Sequence, residues 1–231
     1  LSIAFIFLCL ISLRGTISGF GIILFTLCHY YKERNLVKNL IPFIPGILAL
    51  SLYLFIHYLT KGWFIHNTVS NEWPDAGSIA SLSGVFKNFL VFHWILLDFG
   101  RIAIWISTFY FLIKEFKIAI IDNKILLLIQ LIFSQYIIFM ITTIFFNNTI
   151  GHRYLLPIIV LFSILFCCIL VQKSNYRIFI FATISLLLII SNFTVYPEKM
   201  AQGWDASLAH WSYHEVRNEM IHYLNENNFD A

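Results

Sequence analysis

Residues 125–146 read ILLLIQLIFSQYIIFMITTIFF, an apolar run without a charged side chain. A helix needs roughly 20 apolar residues to cross the hydrocarbon of a bilayer, within a range of about 17–25, and this run fills that length. Residues 40–60, 89–113, 154–171 and 178–194 do the same. The start of the chain is less regular. Residues 1–13 and 17–31 are shorter apolar runs separated by Arg14-Gly15-Thr16. They read either as the end of one spanning helix followed by another, or as two halves of a bent hairpin, and Gly19 and Gly21 let either form pack closely against neighbours.

Composition agrees with that segment reading. The chain is 59% hydrophobic and 12% charged, whereas a soluble domain carries roughly 25% charged residues. Its mean hydropathy is +0.80. A chain this apolar cannot hide its hydrophobic surface in one core, so lipid is expected to be its solvent. The net charge of +3 is small and the basic residues are scattered between apolar runs, which excludes a nucleic-acid footprint. Cys9, Cys28, Cys167 and Cys168 all sit in apolar runs, with no CxxC or zinc spacing, and read as small buried hydrophobes. The expected fold is all-α: a polytopic transmembrane helix bundle over residues 1–194, with six to seven hydrophobic segments. A short helical tail follows over 195–231, the start of a soluble domain. Because the chain opens at Leu1 inside an apolar run and ends without a stop signal, it reads as an internal piece whose partner is the missing N-terminal part of the same protein.

Orientation follows from the bias of Lys and Arg toward cytoplasmic loops. With alternating helices, one side receives Lys32, Arg34, Lys38, Lys114, Lys117, Lys124, Lys173 and Arg177, and the short loops of the other hold Lys61, Lys87 and Arg153. The first side is expected to be cytoplasmic. The loop 61–87, the loop 147–153 and the tail are then extracytoplasmic, and residues 78–86 read as a short helix on the membrane surface. In the tail, Ser212-x-x-Glu215 reads as a capping box, and Val216, Met220 and Tyr223 or Leu224 recur at helical spacing. An amphipathic helix of about four turns is expected there.

The chemistry-bearing residues are few. Asp98 and Arg101 lie three apart within the 89–113 run, with Trp94 and Trp105 extending the same helix face. A charge at mid-bilayer costs about 2.5–3.5 kcal/mol on insertion scales, so such residues pair or line a cavity. At i, i+3 these two can neutralise each other, which makes either a packing lock or the floor of a polar cavity. His152-Arg153-Tyr154 stands at the mouth of a helix opened by Pro157, where proline is tolerated. An arginine there either meets a phosphate bidentately or snorkels beside a tyrosine anchor. Arg14 lies on the same side. The outer loop also holds Trp63 and Trp73. His210, His214 and His222 lack the HExxH pattern, and no metal site is expected.

Three stretches resemble the GT-C class of membrane glycosyltransferases, in the branch of the protein mannosyltransferases and aminoarabinose transferases. They are Ser12-Leu13-Arg14-Gly15, Gly151-His152-Arg153-Tyr154-Leu155-Leu156-Pro157 and Ala201-Gln202-Gly203-Trp204-Asp205-Ala206. The resemblance implies a multi-pass protein of a bacterial inner membrane that takes a sugar from a polyprenyl-phosphate donor to an extracytoplasmic acceptor. It implies an acidic general base in a first outer loop upstream of Leu1, so no catalytic residue is assigned within this chain. It gives Arg14 and Arg153 an anion-facing role. The expected substrate-binding set is Arg14, Arg153, His152, Asp98, Arg101 and Trp73, with membrane lipid and the lipid-linked donor as partners. Two other readings stand beside it. One is a transporter or flippase of lipid-linked saccharides, with Asp98 and Arg101 as pathway charges, and the other is a non-catalytic membrane scaffold.

Overall fold

In the computed structural model, described for residues 1–31, 35–64, 77–116, 123–147, 151–173, 177–193 and 211–226, helices account for nearly everything. The first two are α1 (Ser2–Ile11) and α2 (Leu13–Tyr30). A short α3 (Leu36–Leu40) runs through a 3-10 turn (Ile41–Phe43) into α4 (Ile44–Lys61). They are followed by α5 (Leu82–Leu97), α6 (Arg101–Phe116) and α7 (Asn123–Ile144). A 3-10 turn (His152–Leu155) leads into α8 (Leu156–Lys173), then α9 (Arg177–Ser191) and the tail helix α10 (Trp211–Glu226). Among the described residues the fold is all-α, with one isolated antiparallel bridge between Ile79 and Phe146.

Three of these helical stretches are long and apolar enough to cross a membrane: Leu36–Lys61, Asn123–Ile144 and His152–Val171. The bent pair α5–α6 makes a fourth if taken as one span. The outer surface is apolar, as lipid contact requires: Leu48, Leu52, Phe55 and Leu59 are exposed along α4, and Ile178, Phe181 and Ile189 along α9. The cysteines follow the same logic and depart from the expectation that all four are buried. Cys9 is buried, but Cys28 and Cys167 are exposed on apolar helix faces. An outside that is itself apolar imposes no need to bury a thiol.

The start resolves as a hairpin with its break at Ser12, two residues ahead of Arg14. Ser12 is extended, and its hydroxyl accepts from the Gly15 amide at 3.1 Å. Thr16 donates back to the Cys9 carbonyl at 2.7 Å, which closes the turn. Arg14, Gly15 and Thr16 therefore open α2 and do not interrupt it. α2 lies along α7, where Gly21 leaves room for Gln135. A Cβ at Gly21 would stand 2.6 Å from the Gln135 carboxamide carbon. Gln135 in turn donates to the Ser18 carbonyl at 2.9 Å. α1 packs on α4 around Phe5, Cys9 and Phe43.

The largest correction concerns the run 89–113, read as one straight span. It is two helices bent by 82° at Asp98-Phe99-Gly100. Phe99 has φ 51° and Gly100 φ 73°, so the chain turns through two left-handed residues, a region that glycine enters without cost and phenylalanine does not. A break in an apolar medium exposes carbonyls that have no water to meet them. Here each of three is met. Trp94 O accepts from the Asp98 amide (2.9 Å), Ile95 O from Arg101 Nη1 (2.7 Å) and Leu96 O from Trp105 Nε1 (3.1 Å). The shared helix face proposed for Asp98, Arg101, Trp94 and Trp105 therefore does not exist. Arg101 and Trp105 instead cap the C-terminus of α5, where a cation also suits the helix dipole.

The surface helix expected over 78–86 is also replaced. Residues 77–80 run extended beside 145–147, with Ala80 N donating to Phe145 O and Asn147 N to Ser78 O, both at 2.9 Å. α5 begins only after Ser81, whose hydroxyl accepts from the Gly84 amide. Asn88 reaches across to the carbonyls of Ile144 and Phe146. This clasp gathers the start of α5, the end of α7 and the entry to α8 at one end of the bundle. The tail helix has the expected length, but it begins at Trp211, so Ser212 lies inside it and not ahead of it. Val216, Met220 and Tyr223 are exposed.

Candidate functional site

The 3-10 turn at the mouth of α8 brings together residues from three parts of the chain. His152 is 3% exposed and Asp98 8%. The imidazole Nε2 stands 2.8 Å from Asp98 Oδ2. The other carboxylate oxygen, Oδ1, accepts from the Phe99 amide at 2.8 Å. The Phe99 ring tilts against the imidazole at 4.7 Å between centroids. Asp98 sits in the corner between α5 and α6 because the break turns its side chain toward the entry of α8. A corner in this position is held from below as well: a Cβ at Gly100 would stand 2.9 Å from Ser191 Oγ and 3.0 Å from the Leu187 carbonyl on α9.

Two residues further along the same turn, Tyr154 carries two guanidinium groups. Arg14 Cζ lies 3.6 Å from the ring centroid and Arg153 Cζ 5.6 Å from it. Arg14 lies in the first turn of α2 and Arg153 in the 3-10 turn that leads into α8, so the two helices enter the bundle at the same end. Stacking a guanidinium on an aromatic face leaves its N–H edge directed outward in the ring plane, the arrangement that binds carboxylate or phosphate bidentately. Arg14 is the guanidinium in stacking distance, and both cations stand beside the start of a long helix, whose N-terminal end is itself electropositive.

Of the residues expected from sequence, Arg14, Arg153, His152 and Asp98 are therefore brought to one end of the bundle, and Arg101 stands at the adjoining corner with its guanidinium 5.4 Å from the Phe99 ring. Trp73 lies outside the described residues, as does His210. Trp63 is placed at the end of α4, edge-on to His57 at 4.3 Å, with its carbonyl 2.9 Å from His57 Nδ1. A cavity of about 300 Å³ next to it is lined by Ser12, Thr16, Tyr53 and His57. A second cavity of about 370 Å³ is almost wholly apolar and opens between α5, α6, α7 and α8, lined by Leu97, Trp105, Phe133 and Phe162. His93 and Tyr136, 2.6 Å apart, satisfy each other at its wall. Among the tail histidines, His222 meets Glu226 at 3.3 Å on an exposed face.

The residues that sequence reading missed are Tyr154, as a platform and not only an anchor, and Phe99, as the cover of the imidazole. The one signal for Phe99 is the glycine that follows it. No family model, curated protein or solved structure matches the chain.

Proposed function

We propose that this chain forms the lipid-phosphate-facing part of a membrane glycosyltransferase that moves a sugar from a polyprenyl-phosphate donor to an acceptor outside the cytoplasm. The observation that carries this reading is the convergence of Arg14 and Arg153 on the Tyr154 ring at the mouth of α8. A departing lipid phosphate needs cations held ready where it forms, in a medium of low dielectric that strengthens them. Apolar helices around that mouth suit a donor whose tail stays in the bilayer. The sequence resemblance to the GT-C class supports the same assignment of the two arginines.

The test is binding of polyprenyl phosphate to the chain in lipid nanodiscs, with thermal unfolding as a control. Arg153→Ala is expected to weaken binding at least tenfold without lowering the unfolding temperature. Arg153→Lys is expected to recover only part of the loss, because an ammonium lacks the bidentate fork. Arg14→Ala should act similarly, and the double variant should lose less than the sum of the two. Unchanged binding in Arg153→Ala would leave an interfacial anchor and remove the reading.

A second reading, a flippase of lipid-linked saccharides, is favoured by the bent α5–α6 pair, since transporters place substrates at discontinuous helices. Movement of a labelled lipid-linked saccharide across vesicles containing the protein, without sugar transfer, would select it.

A further inference from the structure

Two turns outside the arginine site border one cavity. At the end of α4 the chain reverses at Gly62, in the left-handed region at φ 79°, and folds back on the helix it has left. Trp63 then stands edge-on to His57 at 4.3 Å, its carbonyl 2.9 Å from His57 Nδ1, and Phe64 stacks on Tyr58 at 4.4 Å. The other turn is the α1–α2 break, held by Ser12 Oγ on the Gly15 amide and by Thr16 on the Cys9 carbonyl. Ser12, Thr16, Tyr53, His57 and Trp63 together line the cavity of about 300 Å³ between them. That volume stands at the lower end of the roughly 300–1,000 Å³ typical of small-molecule sites, the size for one ring and its substituents. Leu13, also on its wall, directly precedes Arg14, so the cavity adjoins the turn that brings Arg14 to Tyr154.

The lining is of two kinds. Tyr53, His57 and Trp63 supply aromatic rings, the first two 5.8 Å apart and inclined by 34°. Ser12, Thr16 and Tyr53 add hydroxyls, groups that both donate and accept, and the indole of Trp63 adds an N–H donor. The Trp63 carbonyl takes the proton of His57 Nδ1, so the same imidazole keeps an acceptor at Nε2. No Asp, Glu, Lys or Arg is among the described residues on the wall. A charged ligand would therefore lose its hydration there with no counter-charge to replace it. A hydrocarbon chain would meet only the apolar half of the lining. A sugar ring meets both halves, since its C–H face is apolar and its hydroxyls donate and accept. We propose that this cavity is a subsite for an uncharged pyranose, with the rings of Tyr53, His57 and Trp63 giving the apolar contact and the hydroxyls the polar one. It rests on the transferase reading above, and names the class of sugar transferred: a neutral pyranose, not an amino sugar or a uronate.

Soluble glycosides test the subsite apart from the lipid phosphate. The methyl glycosides of glucose, galactose and mannose are offered at neutral pH to the wild-type chain in nanodiscs, with empty nanodiscs as control. Saturation transfer from the aromatic protons of the protein is expected for at least one of them, with a Kd on the order of 1 mM for a ligand of this size. Methyl glucuronide and methyl 6-amino-6-deoxyglucoside, which carry a charge, should bind at least about tenfold more weakly. Trp63→Ala should weaken the neutral glycoside about tenfold. Tyr53→Ala should weaken it too, and because Tyr53 is half exposed this variant keeps the test open if Trp63→Ala does not fold. Transfer to none of the neutral glycosides would overturn the subsite, as would equal binding of the charged ones or wild-type binding in both variants. Polyprenyl phosphate, bound by the same preparation, separates the two readings: its binding without any glycoside removes the subsite and leaves the phosphate site, whereas binding of neither removes both.

Discussion

Asp98 meets the His152 imidazole and the Phe99 amide in a corner almost closed to solvent, and its energetic role follows from what each contact leaves behind when removed. Asp98→Ala strips the carboxylate from the His152 imidazole and from the Phe99 amide together. Deleting one partner of a buried hydrogen bond typically costs about 1–3 kcal/mol, more where a charged group is involved, because the other partner stays buried and unmatched. Asp98→Asn keeps an acceptor of the same shape and should cost well under half of that. The pair Asp98→Leu with His152→Leu should recover part of the loss of Asp98→Ala, since the imidazole is no longer left unmatched while the Phe99 amide still lacks its acceptor. Thermal unfolding in detergent measures all three, and an Asp98→Ala variant as stable as the wild type would show that the corner relaxes around the loss. Sequence alone singled out Asp98 for a sound reason, the cost of a charge in an apolar run. Its contact with His152 was not legible, because the two lie 54 positions apart. Arg14 and Arg153 were legible as cations of one side, but nothing in their spacing showed that one tyrosine ring receives both.

Helices were the part of the molecule most easily read, because an apolar run of spanning length is a signal independent of tertiary contacts. The runs 125–146, 154–171 and 178–194 match α7, α8 and α9 to within a few residues. The α5–α6 corner escaped that signal because hydropathy does not change across Asp98-Phe99-Gly100 enough to divide the run, and no proline marks it. Its cause is a backbone requirement at Gly100, where two effects act at once. The left-handed conformation costs an L-residue about 1–2 kcal/mol, and a Cβ there would also meet the Leu187 carbonyl at 3.0 Å. Gly62, at φ 79° beyond the end of α4, has the same conformational demand with nothing within 4 Å. Gly62→Ala should therefore lower stability by about 1 kcal/mol, and Gly100→Ala by clearly more, since α9 must shift as well. Equal losses in paired unfolding measurements would mean that the contact with α9 does not constrain the corner.

The whole molecule has two unlike ends, and the fold makes the difference testable. At one end the α1–α2 turn, the clasp between residues 77–80 and 145–147, the α5–α6 corner and the 3-10 turn before α8 come together through the contacts of Tyr154, Asn147, Gly100 and Asp98. In the sequence, the α2–α3, α6–α7 and α8–α9 connections and the residues flanking them carry Lys32, Arg34, Lys38, Lys114, Lys117, Lys124, Lys173 and Arg177. The basic residues of the site end are Arg14, Lys61, Lys87, Arg101 and Arg153, and Arg14 and Arg153 are engaged with one tyrosine ring. The Lys and Arg bias of short loops, which sets orientation, predicts that the connections with eight basic residues are cytoplasmic and the site end is outside. That predicted orientation is the one the proposed function requires, with the donor presented from the outer leaflet. Single cysteines at Asn35 and Ser83, both exposed, in a background without the four native cysteines, report the orientation through an impermeant thiol reagent. Labelling of position 83 in intact cells, and of position 35 only after the membrane is opened, is the expected outcome. The reverse pattern would put Arg14, Arg153 and the Asp98–His152 pair on the cytoplasmic face, and an acceptor outside the cell would then be unreachable.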